Sequence, residues 1–409
     1  MERVALVASV RTPIGKYLGS FAETTAVQLG SHAVRSVLER ARLRGADVDE
    51  LIFGCARQAA VGPNMARQVL MASGIPQERP AFTLNQACGS GLQSILLGAA
   101  KIRSGEAAIV VAGGSENMTR VPYLLDRARL GYRLGHAKIL DGMVQDGFLD
   151  PICGMLMGET AEKLATMHSI SREEQDAFAL ESQRRAGAAI AEKRFDREIA
   201  PISVVGRKGD VMIAADEHPR PETTAEDLAK LAPVFRKDGT ITAGNACGIT
   251  DGASAVVLAS ESVVRARGLS VQGWVGPGVT AGVDPSIMGV GPVPAVRQLL
   301  ERTGRKLDDY DLVELNEAFA AQVIACDREL RFDRERLNVN GGAIALGHPI
   351  GCTGARIVTT LLHEMERRDA RLGLATLCVS GGLGLAMEIT RDGTGAVAPP
   401  AAEPSTEGR

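Results

Sequence analysis

Residues 33–40 read AVRSVLER and residues 295–302 read AVRQLLER, so one octapeptide occurs twice with two differences. In both copies the apolar residues recur at the spacing of one helix face. An acidic turn and then an apolar strand pattern follow each copy, at residues 50–55 and at residues 311–316. Solenoid repeats have periods of roughly 20–50 residues, so this much longer period predicts two duplicated domains.

The two copies agree more loosely further along the chain. Residues 88–91 (CGSG) and residues 351–354 (GCTG) each begin a predicted helix, and each helix leads to an apolar strand, at residues 108–111 and 374–377. Strands that alternate with helices predict an α/β fold with largely parallel sheets.

The segment between the copies is polar, rich in charge and helical in parts. Ser171 and Glu174 have the spacing of a capping box at the start of one such helix. We therefore expect an insertion on the first domain, after which the chain returns through the apolar residues 251–258. The predicted division is an N-terminal half of residues 1–118 plus 247–268, an inserted loop domain of residues 119–246, a C-terminal half of residues 269–391 and a disordered tail of residues 392–409, rich in Pro, Ala, Gly and Ser.

The composition argues against several classes of function. The formal net charge is −3, so we expect no strong attraction to nucleic acid or to an anionic membrane. No run of about 18 apolar residues is present, which predicts that the chain does not span a membrane. The seven cysteines are odd in number and scattered, which fits a reducing compartment, and hence a cytoplasmic location, better than a disulfide framework.

Cys88 is the first candidate for chemistry. It follows the strand pattern of residues 81–84 and precedes a predicted helix, so its sulfur should lie at a helix N-terminus, where the dipole and free N–H groups favour a thiolate. Gly89 and Gly91 would let a substrate approach the backbone closely. The alternative is a buried structural cysteine, but the strand–turn–helix context favours a nucleophile.

His348 is the second candidate, on the glycine-rich loop of residues 341–347. The alternatives are a structural histidine or a metal pair with Cys352, four residues later. Pro349 and Gly351 disfavour the continuous helix that such a pair requires, and no CxxC or HExxH motif is present, so we expect no metal.

Two further candidates lie at the ends of predicted strands. Cys378 precedes a turn of serine and glycines, whose N–H groups can point at a ligand and stabilise a developing oxyanion. Asn316 follows the strand of residues 312–315; an asparagine there is most often a turn or cap residue, but it can also hold a water or a carbonyl oxygen. Ligands collect at the C-terminal ends of strands in such sheets, so Cys88, His348, Cys378 and Asn316 together predict one thiol-based active site.

At these residues the sequence resembles the thiolase family, from about residue 4 to residue 390. The signature blocks of the family occur in the family's order, at residues 85–91 (NQACGSG), 316–320 (NEAFA), 340–349 (NGGAIALGHP) and 378–384 (CVSGGLG). The resemblance implies a five-layer αβαβα fold of two similar halves with an inserted loop domain, in agreement with the repeat.

The resemblance also implies a role for each candidate. Cys88 carries the acyl group as a thioester, His348 takes the Cys88 proton and helps to bind the thioester oxygen, and Cys378 removes or returns the α-proton of the acetyl group. Asn316 positions a water in the oxyanion site of the enolate, and the backbone N–H groups of Cys88 and Ser380 form the second oxyanion hole. This chemistry requires no metal and no bound cofactor, so coenzyme A is expected only as part of the substrate.

The resemblance places coenzyme A on the insertion, with Arg220 at its nucleotide end. The residues expected to line the pantetheine and acyl channel are Met157, Phe235, Ala243, Gly244, Cys247, Met288, Ala318 and Phe319. For the apolar members of this set, ordinary core packing is the alternative.

Three residues depart from the family pattern. Ser380 stands where the turn usually has glycine, which adds a side chain beside the oxyanion hole. Cys247 stands where a serine often hydrogen-bonds the pantetheine, and Leu156 stands where acetoacetyl-specific biosynthetic members have histidine. The last departure leaves a broader range of 3-ketoacyl substrates open.

The resemblance therefore implies an acyltransferase that works by a ping-pong mechanism through an acyl-cysteine. It condenses two acetyl-CoA to acetoacetyl-CoA and CoA, or cleaves 3-ketoacyl-CoA with CoA. The alternatives are a medium- or long-chain 3-ketoacyl-CoA thiolase of fatty-acid β-oxidation and a catalytically silent thiolase-like protein that binds acyl-CoA, although the complete set of four candidates argues against silence. A homodimer or homotetramer is expected, with residues 132–136 (YRLGH) where family members often make tetramer contacts.

Overall fold

The computed structural model describes residues 2–206 and 209–391, and the predicted tail of residues 392–409 lies outside the described residues. The strands are β1 Val4–Arg11, β2 Gly15–Lys16, β3 Glu50–Gly54, β4 Ala81–Leu84, β5 Ile109–Asn117, β6 Tyr123–Leu124, β7 Leu140–Asp141, β8 Leu149–Asp150, β9 Met155–Leu156, β10 Ile202–Gly206, β11 Gly209–Ile213, β12 Thr250–Ser260, β13 Gly273–Gly282, β14 Leu312–Leu315, β15 Leu372–Val379 and β16 Leu383–Thr390. The helices are α1 Ala26–Ala41, α2 Met65–Ala72, α3 Ser90–Arg103, α4 Met157–Met167, α5 Arg172–Ala191, α6 Ala225–Ala229, α7 Glu261–Arg267, α8 Pro292–Thr303, α9 Ala320–Leu330, α10 Ala343–Leu346 and α11 Ile350–Arg368.

Helices and strands alternate in five layers. Successive side chains of a strand point to opposite faces of the sheet. Leu51 and Phe53 of β3 accordingly pack in a core with α1 and α2, whereas Ile52 packs in a second core with α3 and α11. In the other half, Leu377 of β15 faces α11 in the second core, and Leu374 faces α8 in a third. The two helices α3 and α11 therefore form the central layer, between two groups of strands.

The duplication predicted from the repeated octapeptide is seen element by element. The first copy lies in α1 and the second in α8, and β3 and β14 follow them. The two predicted helix starts open α3 and α11, which lead to β5 and β15. The fold therefore repeats its elements as the sequence does, whereas the domain boundaries given above stay predictions.

The prediction of largely parallel sheets is wrong. β3 pairs in parallel with β4 and β5, and β14 pairs in parallel with β15. However, β12 pairs antiparallel with β1 and β5, and β16 pairs antiparallel with β13 and β15. A parallel pair requires a crossover of roughly a dozen residues, and residues 380–382 are too few for one, so β15 and β16 form an antiparallel hairpin.

One pair of neighbouring strands, β1 and β13, joins the sheets of the two halves. β1 pairs with β13 at Ala5↔Trp274 and Leu6↔Gly273, which links the strands in the order β14-β15-β16-β13-β1-β12-β5-β3-β4. The predicted return of the chain after the polar segment is β12, which lies between β1 and β5. Within this polar segment, α5 begins at the predicted capping box of Ser171 and Glu174. No helix in the described ranges has both the length and the apolar character required to cross a membrane.

Candidate active site

Cys88 lies in a tight turn between β4 and α3. Ala87 has φ of 46°, in the left-handed region that few residues other than glycine adopt. Side chains hold this turn, because Asn85 Oδ1 accepts from the Ala87 N–H (2.9 Å) and Ser90 Oγ accepts from the Gln86 N–H (2.8 Å). Ser90 Oγ also donates to the Ala87 carbonyl (2.7 Å). The turn thereby fixes Cys88 two residues before Ser90, the first residue of α3, close to the predicted helix start.

The Cys88 thiol is a weaker acid than an ordinary cysteine. Its side chain is partly open to a cavity, but burial by the surrounding protein raises its pKa. The Ser380 N–H, which donates to the sulfur, and the charge of Arg57 act in the opposite direction, and Glu116 adds to the rise. The backbone N–H groups of Cys88 and Ser380 thus favour the thiolate, but desolvation outweighs them and the net pKa is raised. Cys88 consequently requires a base.

His348 has one ring nitrogen held by a hydroxyl and the other without a protein partner in the described part of the chain. It lies on the loop before α11, which begins at Ile350, so His348 and Cys352 do not share a helix face. Its Nδ1 lies 2.6 Å from Thr353 Oγ1, and this hydroxyl donates to the Pro349 carbonyl (2.9 Å). A hydroxyl carries one hydrogen, so Thr353 accepts from Nδ1–H. The lone pair of the neutral ring is then on Nε2, which is buried without a protein partner in the described part of the chain.

The charge state of His348 agrees with this assignment. Burial lowers its pKa to about 3, and the charges of Arg356 and Arg57 act in the same direction. The imidazole is therefore neutral near pH 7. A neutral ring that keeps its proton on Nδ1 has Nε2 available to accept a proton from a thiol.

Cys378 is the second candidate thiol, and it lies within β15 near the end of that strand. Its side chain is 1% exposed. Burial raises the pKa of Cys378 well above its ordinary value, and the neighbouring thiols Cys88, Cys326 and Cys247 raise it further. A thiol in such a site gives up its proton reluctantly, so its thiolate is a strong base.

The turn after Cys378 is held by a residue that the sequence did not indicate. The Gly381 N–H donates to Asp150 Oδ2 (3.0 Å), and the other oxygen of Asp150 accepts from the Ile152 N–H (2.8 Å). The prediction that the glycine N–H groups of this turn point at a ligand is therefore wrong for Gly381, because Asp150 takes that donor. The Ser380 N–H is directed at the Cys88 sulfur instead.

Asn316 directly follows β14, as predicted, and is 1% exposed. Neither Oδ1 nor Nδ2 of its side chain has a hydrogen-bond partner in residues 2–206 or 209–391. Buried amides are nearly always hydrogen-bonded, so both atoms are suited to a polar group or a water. The next residue, Glu317, fixes the surroundings by accepting from Ser182 (2.7 Å), Asn338 (2.9 Å) and the Ile344 N–H (3.2 Å).

A cavity of about 480 Å³ brings most of the candidates together. Cys88, His348, Cys378 and Ser380 line it, as does Leu156, one of the departures from the family pattern. The predicted channel residues that line it are Met157, Phe235, Ala243, Cys247, Met288, Ala318 and Phe319. Most of the predicted site residues therefore surround one space.

Three predicted residues are not part of the cavity lining. Asn316 is buried, and in sequence it lies two residues before Ala318, which lines the cavity together with Phe319. Arg220 is exposed, and a Cβ at Gly244 would meet Leu228 and Leu231 rather than open space. The roles assigned to these three residues stay predictions.

Sequence reasoning missed several groups at the site. Arg57, Met118, Phe148 and Ile350 line the cavity. Arg57 lies three residues after β3, so the strand-end signal that found Cys88 also applies to it. Within residues 2–206 and 209–391, no cluster of three or more His, Cys, Asp or Glu residues could hold a metal ion.

Fold and site together define a five-layer α/β protein in which three thiols, of Cys88, Cys247 and Cys378, and an imidazole line one cavity. Two family models match the chain, "Thiolase, N-terminal domain" over residues 4–262 and "Thiolase, C-terminal domain" over residues 269–391. The chain belongs to the thiolase family, and the predicted family and fold are confirmed.

Individual relatives agree with this membership. The chain is 52% identical to the acetyl-CoA acetyltransferase of Pseudomonas aeruginosa over 393 residues, which are 96% of this chain and 100% of the relative. Its fold matches the crystal structure of the Bacillus anthracis acetyl-CoA acetyltransferase with a TM-score of 0.94 and 45% identity, over 95% of this chain and 99% of that one. It also matches the human mitochondrial 3-ketoacyl-CoA thiolase in complex with CoA, with a TM-score of 0.92 and 44% identity, over 95% and 98% of the two chains.

Proposed function

We propose that the chain condenses two acetyl-CoA to acetoacetyl-CoA and CoA and catalyses the reverse thiolysis. The observation that carries the proposal is the placement of Cys88, Cys378 and a neutral His348 around one cavity. Relatives named acetyl-CoA acetyltransferase, about half identical over nearly the whole chain, support the same reaction. The chain is thus an acyltransferase of the thiolase family.

In the first half-reaction His348 Nε2 accepts the Cys88 proton, and the sulfur attacks the thioester carbonyl of acetyl-CoA. The bond between this carbonyl carbon and the CoA sulfur breaks as the Cys88 thioester forms. The departing CoA thiolate takes the proton of Cys378. The N–H groups of Cys88 and Ser380 are the proposed donors to the oxyanion; the direction of the Ser380 N–H toward the Cys88 sulfur supports this role.

In the second half-reaction the Cys378 thiolate removes an α-proton from a second acetyl-CoA. Its buried site supports this step, since the raised pKa makes the thiolate a stronger base for a weakly acidic C–H. Protonated His348 Nε2 and a water held by Asn316 stabilise the enolate oxygen. The carbanion attacks the acyl carbon, Cys88 leaves as a thiolate, and His348 returns its proton.

A second candidate function is thiolysis of longer 3-ketoacyl-CoA in fatty-acid metabolism. Leu156, which replaces a polar residue of acetoacetyl-specific members by an apolar one, lines the cavity and favours this function. The human mitochondrial 3-ketoacyl-CoA thiolase is a structural relative of this chain.

The proposal includes coenzyme A as substrate with no metal or resident cofactor. It also includes a homodimer or homotetramer and a cytoplasmic location. The exposure of Leu134 in the loop of residues 132–136 supports contacts between subunits, and the seven free cysteines support a reducing compartment.

The test is thiolysis by CoA of acetoacetyl-CoA, 3-ketooctanoyl-CoA and 3-ketohexadecanoyl-CoA, for the native protein and for Cys88→Ala. We expect cleavage by the native protein and a loss of at least about 10³-fold in the variant. The order of the three substrates decides between the two candidate functions. If folded native protein cleaves none of them, the catalytic assignment fails and an acyl-CoA-binding protein is favoured.

A further inference from the structure

The cavity wall contains a guanidinium that the proposed reaction does not use. Arg57 lines the cavity with Cys88 and His348, and its side chain is buried, with 5% of the residue exposed. In residues 2–206 and 209–391 it forms no ion pair, and its Nε has no hydrogen-bond partner. An arginine in so buried a position is normally paired with an anion.

Three consecutive residues hold this guanidinium in place. Arg57 Nη1 donates to the Asp146 carbonyl (3.1 Å), and its Cζ lies 5.7 Å from the centroid of the Phe148 ring. At Gly147, a Cβ would overlap the guanidinium, so only glycine leaves room for it there. One nitrogen is thus engaged, whereas the edge formed by Nε and Nη2 has no bond to the described protein. Two parallel N–H groups on one edge match the two oxygens of a carboxylate.

The neighbouring wall is apolar and offers Arg57 no counterion. Met118, Val144, Phe148 and Ile350 line the same cavity. The carboxylate of Glu116 is occupied elsewhere, because its oxygens accept from the backbone N–H groups of Ala56, Arg57 and Gly351. A carboxylate of a bound molecule would complete the hydrogen bonds of this guanidinium.

Activation of Cys88 does not account for Arg57. The positive charge lowers the pKa of Cys88, but it also lowers the pKa of His348. Transfer of the proton from Cys88 to His348 depends on the difference between the two pKa values, so a charge that lowers both contributes little to this step.

We propose that the Nε–Nη2 edge of Arg57 is a subsite for a carboxylate at the far end of the acyl group. The chain then accepts 3-oxoacyl-CoA thioesters of dicarboxylic acids in addition to simple 3-oxoacyl-CoA. This inference rests on the proposed function and specifies a substrate class for the same cavity. Arg57 binds the carboxylate of the acyl group and takes no part in the covalent steps of the reaction.

Pairs of substrates that differ only at the chain end test the inference. 3-Oxoadipyl-CoA and 3-oxohexanoyl-CoA have six acyl carbons, and 3-oxosuberyl-CoA and 3-oxooctanoyl-CoA have eight; within each pair a carboxylate replaces a methyl group. The measurement is the ratio of kcat/KM for the diacid to kcat/KM for its partner in thiolysis. We expect Arg57→Met to lower this ratio roughly 10- to 100-fold at the length that reaches the subsite, and Arg57→Lys to lower it less.

Three controls keep the test decisive. Arg67→Leu removes another arginine that donates to backbone carbonyls, those of Arg79 and Gln77, outside the cavity, and should leave the ratio unchanged. Gly147→Ala displaces the guanidinium without removing it and should lower the ratio. Competition by adipyl-CoA against hexanoyl-CoA in the native protein requires no variant, and tighter inhibition by adipyl-CoA is expected.

The outcomes separate this inference from the proposed function. Native protein that cleaves 3-oxohexanoyl-CoA and 3-oxooctanoyl-CoA but neither diacid would overturn the subsite and leave the proposed function intact. An equal loss on both members of a pair in Arg57→Met would also overturn it, since Arg57 would then act on the reaction centre. Native protein that cleaves no 3-oxoacyl-CoA would overturn the proposed function and this inference together.

Discussion

The turn after β4 and the turn after β15 each bring a cysteine to the same cavity, but they surround the two sulfurs differently. Cys88 lies outside a strand, just before α3, and the Ser380 N–H of the other turn donates to it. Cys378 lies within β15, where burial raises its pKa and the neighbouring thiols raise it further. One residue type is thus suited to be a nucleophile in the first turn and a strong base in the second.

The Cys88 turn also depends on residues of the C-terminal half. The donor to Cys88 comes from the C-terminal half, at Ser380, and His348, its proposed base, comes from the same half. The turn that contains Ser380 is itself held by Asp150 of the polar segment, which accepts from the Gly381 N–H. Cys88, the proposed nucleophile, therefore follows a strand of one half of the duplicated fold, whereas its hydrogen-bond donor and its proposed base come from the other half.

The largest expected effect on activity comes from replacing Cys88 or Cys378 by serine. Cys88→Ser and Cys378→Ser should each lose at least about 10³-fold in condensation, because a serine is neither a comparable nucleophile nor a comparable base. Cys378→Ser should still take an acetyl group from acetyl-CoA on Cys88, whereas Cys88→Ser should take none. Intact-protein mass spectrometry after exposure to acetyl-CoA distinguishes the two, with Cys153→Ser as a thiol outside the cavity lining. Acetylation of both variants would mean that the two sulfurs are interchangeable.

The next largest effect concerns His348, the proposed base for Cys88. The pKa of His348 is about 3 in the folded protein and about 6.5 in an unfolded chain. Below pH 6.5 the unfolded chain binds a proton that the folded protein does not, so His348 contributes stability above this pH that is lost as the pH falls toward 3. Between pH 7 and pH 5 this loss is about 2 kcal/mol.

Urea unfolding of native protein and His348→Asn at both pH values measures this loss. The unfolding free energy of the variant should fall less between pH 7 and pH 5 than that of the native protein. His136→Asn, at an exposed site, controls for the removal of an imidazole. An identical decrease in native protein and His348→Asn would show that His348 is not kept neutral by the fold.

The features that the sequence predicted correctly are those that local patterns determine. The strand patterns of residues 81–84 and 312–315 match β4 and β14 residue by residue, because each is a short, mostly apolar run between turn signals. The placement of Cys88 before α3 follows from the same local reading. The repeated octapeptide predicted the duplication, since two similar helices with similar following strands indicate two similar domains.

The features that were wrong or missed depend on residues distant in sequence. The partner of Gly381 is 231 residues away at Asp150, and nothing near Asp150 in sequence indicates that contact. The pKa of Cys88 depends on how much water the surrounding segments exclude, which the local turn does not determine. Strand direction depends on how the segments are joined. The alternation of strands and helices therefore did not predict the antiparallel pairing of β15 with β16.

The smallest expected effect tests whether the Asp150 contact supports the donor to Cys88. Asp150→Ala leaves the Gly381 N–H without its acceptor and should loosen the turn that directs the Ser380 N–H. Loss of that donor raises the pKa of Cys88, so alkylation of Cys88 by iodoacetamide at pH 8 should slow roughly 3- to 10-fold. Alkylation of Cys378 should change little, because its pKa depends on burial and neighbouring thiols.

Asp150→Asn separates the contact from the charge, since the amide oxygen still accepts from Gly381 but the negative charge is absent. This variant should lie between native protein and Asp150→Ala. Removal of a negative charge alone would lower the pKa of Cys88 and speed its alkylation. Faster alkylation in both variants would therefore show that Asp150 acts on Cys88 through its charge, and the two turns would then be coupled by electrostatics rather than by the position of one N–H group.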